Sequence, residues 1–91
     1  MDADIETARE DVARRLARVA GHANSLKRMW DEGRNIDDLL TQIAAVRAAL
    51  DQVGRAMLEI HIDQSLDQAI QRGDSTDAAR NLKSALDRFI S

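Results

Sequence analysis

Apolar residues in the middle of the chain recur at alternating steps of three and four: Ile36, Leu39, Ile43, Val46, Leu50, Val53, Met57 and Ile60. That repeat places side chains along one seam of a helix packed against other helices. Ala44, Ala45, Ala48, Ala49 and Ala56 lie beside the seam, and side chains this small let neighbouring helix axes approach closely. The same rhythm runs earlier through Val12, Leu16, Val19, Ala23, Leu26 and Trp30, which predicts a first helix from Ile5 to Trp30. Gly21 lies inside it and costs about 1 kcal/mol against alanine, so it either admits another helix or marks a soft point.

Asp31-Glu32-Gly33-Arg34-Asn35 ends the first helix. Gly33 suits a left-handed C-terminal conformation, and Asn35 or Asp37 suits the cap of the next helix. From Ile36 to Arg72 only Gly54 interrupts the helical pattern, so the second helix is predicted to span about 50 Å at 1.5 Å per residue. Gly73-Asp74-Ser75 stops it, and Asp74 or Ser75 can cap a third helix that reaches Phe89 with Ala79, Leu82, Leu86 and Phe89 on one face. No stretch alternates with the period of a strand. The fold class is all-α, a three-helix subunit with a long antiparallel hairpin. Two such hairpins from two chains close a four-helix bundle over their apolar edges.

Composition bears on assembly. Ninety-one residues read as a single domain over 1–91, and a chain this short buries only about 60 to 65% of the surface it exposes when unfolded. Oligomerisation is the expected remedy, because the chain has no cysteine for staples or thiolate metal sites. No apolar run approaches the ~20 residues of a membrane span. Met1-Asp2-Ala3-Asp4 lacks the basic start of a signal peptide, so a soluble cytoplasmic protein is expected.

A net charge of −3 argues by itself against a nucleic-acid partner, but the charge is unevenly placed. Residues 1–8 carry three acids and no base, residues 9–34 carry seven bases and four acids, and residues 35–91 carry six bases and nine acids. One segment is therefore basic in an acidic protein, and local field rather than total charge governs contact with phosphate.

Four segments carry a family resemblance: Arg15-Leu16-Ala17-Arg18-Val19-Ala20-Gly21, Met29-Trp30-Asp31-Glu32-Gly33-Arg34, the run from Leu40 through Leu50 to Asp51, and Leu58-Glu59-Ile60-His61. Over nearly its whole length the chain resembles the CsoR/RcnR/FrmR family of small all-helical bacterial repressors, which sense copper, nickel, cobalt, formaldehyde or persulfides. The resemblance implies a dimer built as an antiparallel four-helix bundle, a tetramer of two dimers, and operator binding without a helix-turn-helix. Double-stranded operator DNA would then meet basic residues on the first two helices, here Arg14, Arg15, Arg18, Arg47 and Arg55. Arginine suits that work because its charge is permanent and its fork meets phosphate in a bidentate way. The competing reading is a solvated bundle face paired with Glu10, Asp11 or Asp51.

Departures from the family pattern fall on its sensor. Where metal-sensing members place a cysteine, a histidine and a second cysteine in a site across the dimer, this chain has Ile36, His61 and Ser65. Neither isoleucine nor serine is a soft-metal thiolate, and formaldehyde and persulfide sensing need the same nucleophile. Asn35 and Asn81 stand where copper sensors have a tyrosine and a glutamate, and Asn24 and Gln52 stand where basic residues are usual. His61 can still serve as one ligand of a nitrogen and oxygen site with Glu59, Asp63 or His22, which would suit a transition metal. The bland alternative is a histidine hydrogen-bonded at the bundle interface. His22 is expected to be exposed, Met29 and Trp30 to fill core or interface, and Asp2, Asp4 and Glu6 to suit the positive end of the first helix. No nucleophile and base stand at meaningful spacing, so no enzyme is expected and no cofactor.

The sequence therefore points to a DNA-binding transcriptional repressor without the thiolate sensor. Two alternatives stay open: a helical oligomeric structural or interaction protein that has lost DNA binding, and a repressor that senses a metal through a non-cysteine site around His61.

Overall fold

A computed structural model describes residues 2–73 and 76–90, with side chains from Ile5 onward. It comprises α1 (Asp2–Asp31), α2 (Ile36–Arg72) and α3 (Thr76–Ile90), with no strand among the described residues. The turn between α1 and α2 follows from its residues. Gly33 takes φ 73°, its N–H donates to the Trp30 carbonyl at 3.0 Å, and the Arg34 N–H donates to the Met29 carbonyl at 3.0 Å. That pair of bonds satisfies carbonyls that a helix end otherwise leaves open. Asn35 then caps α2, its side-chain oxygen accepting from the Asp37 N–H at 2.8 Å. At the far end Gly73 closes α2 with φ 68° and an N–H bond to the Ala69 carbonyl at 2.9 Å. The proposed caps of α3, Asp74 and Ser75, lie outside the described residues, as do the side chains of Asp2 and Asp4.

Helices α1 and α2 form the antiparallel hairpin, and α3 packs on α2 without touching α1. Gly54 receives α3: a methyl there would come within 2.7 Å of the Phe89 Cζ, so the aromatic ring lies directly on the glycine backbone. Gly21, in contrast, has nothing within 4 Å of where its Cβ would be, so no helix of the same subunit approaches it.

The seam in α2 divides. Leu39 and Val53 are buried and Val46 and Ile60 half-buried against α1, whereas Ile36, Ile43, Leu50 and Met57 are exposed. Each set repeats every seven residues, so the sequence seam is the sum of an intrachain stripe and an open one. Helix α1 divides the same way. Val12, Val19 and Leu26 face α2, while Leu16, Ala23 and Trp30 are exposed. Trp30, expected as filling, keeps 65% of its surface accessible because it stands on the open side.

The subunit is consequently a plate measuring 58 × 29 × 14 Å, with a radius of gyration of 17.6 Å, against about 12 Å for a compact domain of this length. It exposes 7041 Å², where a folded monomer of this mass exposes about 5,300 Å². The excess is of the size that one partner contributes to an obligate interface.

Candidate functional site

The hairpin presents two grooves, one on each side of the line where α1 meets α2. On one side Leu16, Met57, Ile60 and His61 join Val12 and Ala13 in an open, largely apolar groove of about 510 Å³, with Arg9, Glu10 and Gln64 along its edge. This groove lies on the exposed apolar stripe. Arg15, Arg18 and His22 of α1 meet Gln52 of α2 in a second groove of about 200 Å³, floored by Val19, Ala49 and Val53. One hundred degrees of rotation per residue separates the two sides, so adjacent Arg15 and Leu16 flank the α1 contact line on opposite faces.

Arg15 and Arg18 thus share a surface. Arg14 stands one turn from Arg18 on the outer side of α1. Asp11 restrains part of this set: its carboxylate accepts from the Arg15 Nε at 2.8 Å and lies 3.8 Å from an Arg14 Nη. The Arg14 pair is exposed and the Arg15 pair half-buried, and exposed pairs of this kind contribute at most about 1 kcal/mol, so a phosphate can compete with the aspartate. Arg47 and Arg55 do not reach this groove within one subunit. Arg47 falls on the line of Ile43, Leu50 and Gly54, and Arg55 pairs with Asp51 at 3.7 Å. Asn24 is exposed on α1, and Gln52 lines the arginine groove without adding charge.

His22 corrects an expectation. It is half-buried rather than exposed, and its Nε2 lies 2.7 Å from the Gln42 Oε1, linking α1 to α2. The reason is periodicity. The covered positions of α1 run Ala8, Val12, Arg15, Val19, His22, Leu26, Met29, at steps of four and three, with Arg15 and His22 on the groove edge of the contact line. His22 is one of these positions, and so is Met29, which is half-buried as expected of a filling residue.

The family's sensor positions form no metal site in one subunit. Ile36 and His61 are 25 residues apart on one helix, about 37 Å, so any joint site requires two chains. Ile36 is 60% exposed and offers no donor atom, and Ser65 is buried with 6% of its surface accessible. Among the described residues no group of three His, Asp or Glu side chains is placed to hold a metal ion. Glu59 and Asp63 stand two residues either side of His61, a spacing that points side chains away from one another on a helix. His22 is in the opposite groove. A thiolate metal centre therefore does not fit this donor set. Asn35 serves as the α2 cap, and Asn81 lies with Gln68, Arg72 and Asp77 in a polar crevice between α2 and α3.

A family model described as metal-sensitive transcriptional repressor matches residues 8–88. The chain belongs to this family. It is similar to the copper-sensing transcriptional repressor CsoR of Bacillus subtilis, 31% identical over 81 residues that cover 89% of this chain and 80% of the relative. The copper-sensing repressor RicR of Mycobacterium tuberculosis is 35% identical over 65 residues, covering 71% and 68% of the two chains. Among solved structures, the nickel-responsive transcriptional regulator InrS superposes with a TM-score of 0.79 at 39% identity, covering 88% of this chain and 90% of that one. The Cu(I)-bound CsoR of Geobacillus thermodenitrificans NG80-2 gives a TM-score of 0.81 at 33% identity over 90% and 85% of the chains. This family member is a CsoR-like transcriptional repressor, not an enzyme, and having no cysteine it lacks the thiolate sensing site. No helix among the described residues is long and apolar enough to cross a membrane.

Proposed function

We propose that the chain acts in the cytoplasm as an operator-binding repressor, a single domain over 1–91 assembled as a homodimer and then a homotetramer. Duplex DNA meets Arg14, Arg15 and Arg18 of one subunit together with Arg47 and Arg55 brought in by others. One observation carries this reading: Arg15 and Arg18 line one groove on the opposite side of the α1–α2 contact line from the exposed apolar stripe. Assembly through the apolar face leaves Arg14, Arg15 and Arg18 free for the polyanion, whereas Arg47, on the line of Ile43 and Leu50, would reach it from the rim of that interface. Support for oligomerisation comes from the surface excess of the isolated subunit and from the apolar stripe shared by α1 and α2.

The competing structural or interaction module is the weaker account, because it gives no role to the convergence of two arginines in one groove. A metal-sensing role around His61 is weaker still. Its groove offers one imidazole and the single carboxylate of Glu10 to a metal ion.

Arg15→Ala is expected to weaken binding to a promoter fragment from upstream of the protein's own gene by at least about tenfold and to flatten its salt dependence, since each lost phosphate contact lowers the slope by about one. Fluorescence anisotropy across a salt series measures both. An unchanged affinity and slope in Arg15→Ala rules out the assignment of this groove to DNA.

A further inference from the structure

Of the two histidines in the chain, one stands in the arginine groove and the other in the apolar groove on the opposite face. We propose that His22 is a DNA-contacting residue, an imidazole beside Arg15 and Arg18 that takes up a proton when phosphate occupies the groove. The inference rests on the operator-binding reading above and adds a residue to it.

Its position is fixed from both helices. The Nε2 lies 2.7 Å from the Gln42 Oε1, which orients the ring, and in the tautomer that donates to this oxygen Nδ1 is the other ring nitrogen, unprotonated. The charged groups that line the same groove are Arg15 and Arg18, both on α1, and α2 contributes only the neutral Gln42, Ala49, Gln52 and Val53 around the ring. Asp11, paired with Arg15, is the acid of that neighbourhood. Helix α3 does not touch α1 and brings no charge to it. With no carboxylate lining the groove itself, the anion that favours the imidazolium is the ligand. A phosphate bridging Arg15 and Arg18 supplies that charge, and DNA binding and protonation at Nδ1 then reinforce one another by linkage. The imidazolium also adds a positive charge to a groove where Gln52 brings none.

The chain has no cysteine, and imidazole is the side-chain type whose charge a change between pH 8 and pH 6 addresses. The test is anisotropy of the promoter fragment at pH 6 and pH 8, at constant ionic strength, for the unmodified protein, His22→Gln and His61→Gln. Glutamine at 22 keeps an amide donor for Gln42, which preserves the hairpin, and circular dichroism verifies the fold at both pH values. The unmodified protein is expected to bind about tenfold tighter at pH 6, within the limit of tenfold per pH unit for each proton taken up. His22→Gln should differ less than twofold between the two pH values, and His61→Gln should keep the full difference. A flat response in the unmodified protein, or an equal response in His22→Gln, overturns the role of His22 while leaving operator binding standing. Absence of binding at both pH values overturns this role and operator binding together.

Discussion

Ile43→Glu combined with Leu50→Glu is expected to convert the assembled protein into monomers that no longer bind operator DNA. Both residues are exposed in the subunit, at 44% and 48% of their surface. They stand on the stripe that also carries Ile36 and Met57. If that stripe is the seam between hairpins, two carboxylates placed in it face apolar side chains and each other after desolvation, a cost of several kcal/mol per ion. In an isolated subunit nearly half of each residue's surface is already in solvent, so the same changes cost far less there. Sedimentation velocity distinguishes these cases directly, and thermal unfolding adds a second readout because the Tm of an assembled protein rises with its concentration. The variant should sediment as a 10 kDa species with a concentration-independent Tm. Retention of the parental oligomer would place the subunit interface elsewhere.

Val53→Asp should have the largest effect on the subunit itself. Val53 is only 3% exposed and packs where α2 crosses α1, behind the arginine groove. An aspartate there gives up the apolar contact with Val19 and Ala49 and sets a desolvated carboxylate at the floor of the groove, behind Arg15 and Arg18 at its rim. Such a group costs about 3 to 5 kcal/mol, against a total stability of about 5 to 14 kcal/mol for a domain of this length. Urea denaturation should show a midpoint lowered by a third or more, with the variant partly unfolded at 37 °C. Val53→Ala, which removes volume without charge, should cost about 1 to 2 kcal/mol. A Val53→Asp midpoint equal to that of the unmodified protein would mean that the α1–α2 contact is not the core.

Much of this architecture was legible in the residues because local chemistry decided it. Gly33 with Asn35 specifies one helix end and the next helix start, and Gly73 ends α2, since a left-handed residue and a side-chain cap are short-range requirements. The division of the apolar seam was not legible. Ile36, Ile43, Leu50 and Met57 are as apolar as Leu39, Val46, Val53 and Ile60, and a step pattern of three and four is the same whether one helix or two cover it. Only the geometry of the hairpin separates the set that α1 covers from the set left open. His22 departs from expectation for a related reason: the chemistry of a polar residue points it to solvent, while its spacing from Val19 and Leu26 sets it at the covered edge of α1. The arginines show a third case. Spacing along α1 places Arg15 and Arg18 near one another, but no sequence rule says which side of the hairpin Arg47 occupies, and in one subunit it lies away from them.

The sensor positions explain what the assembly leaves out. Ile36 extends the exposed apolar stripe at the start of α2, and Ser65 is buried, so both substitutions fit packing roles where thiolates would otherwise stand. The chain is therefore a repressor framework without the family's thiolate switch, and the proposed DNA face is its groove of Arg15 and Arg18. The most direct test of this reading is an anaerobic titration of the promoter fragment with the protein at physiological ionic strength, in the absence and presence of one equivalent of Cu(I) per subunit under a competing chelator. The account predicts salt-sensitive binding that Cu(I) leaves unchanged, with the metal remaining on the chelator. Release of the DNA by Cu(I), with stoichiometric transfer of the metal to the protein, would contradict it.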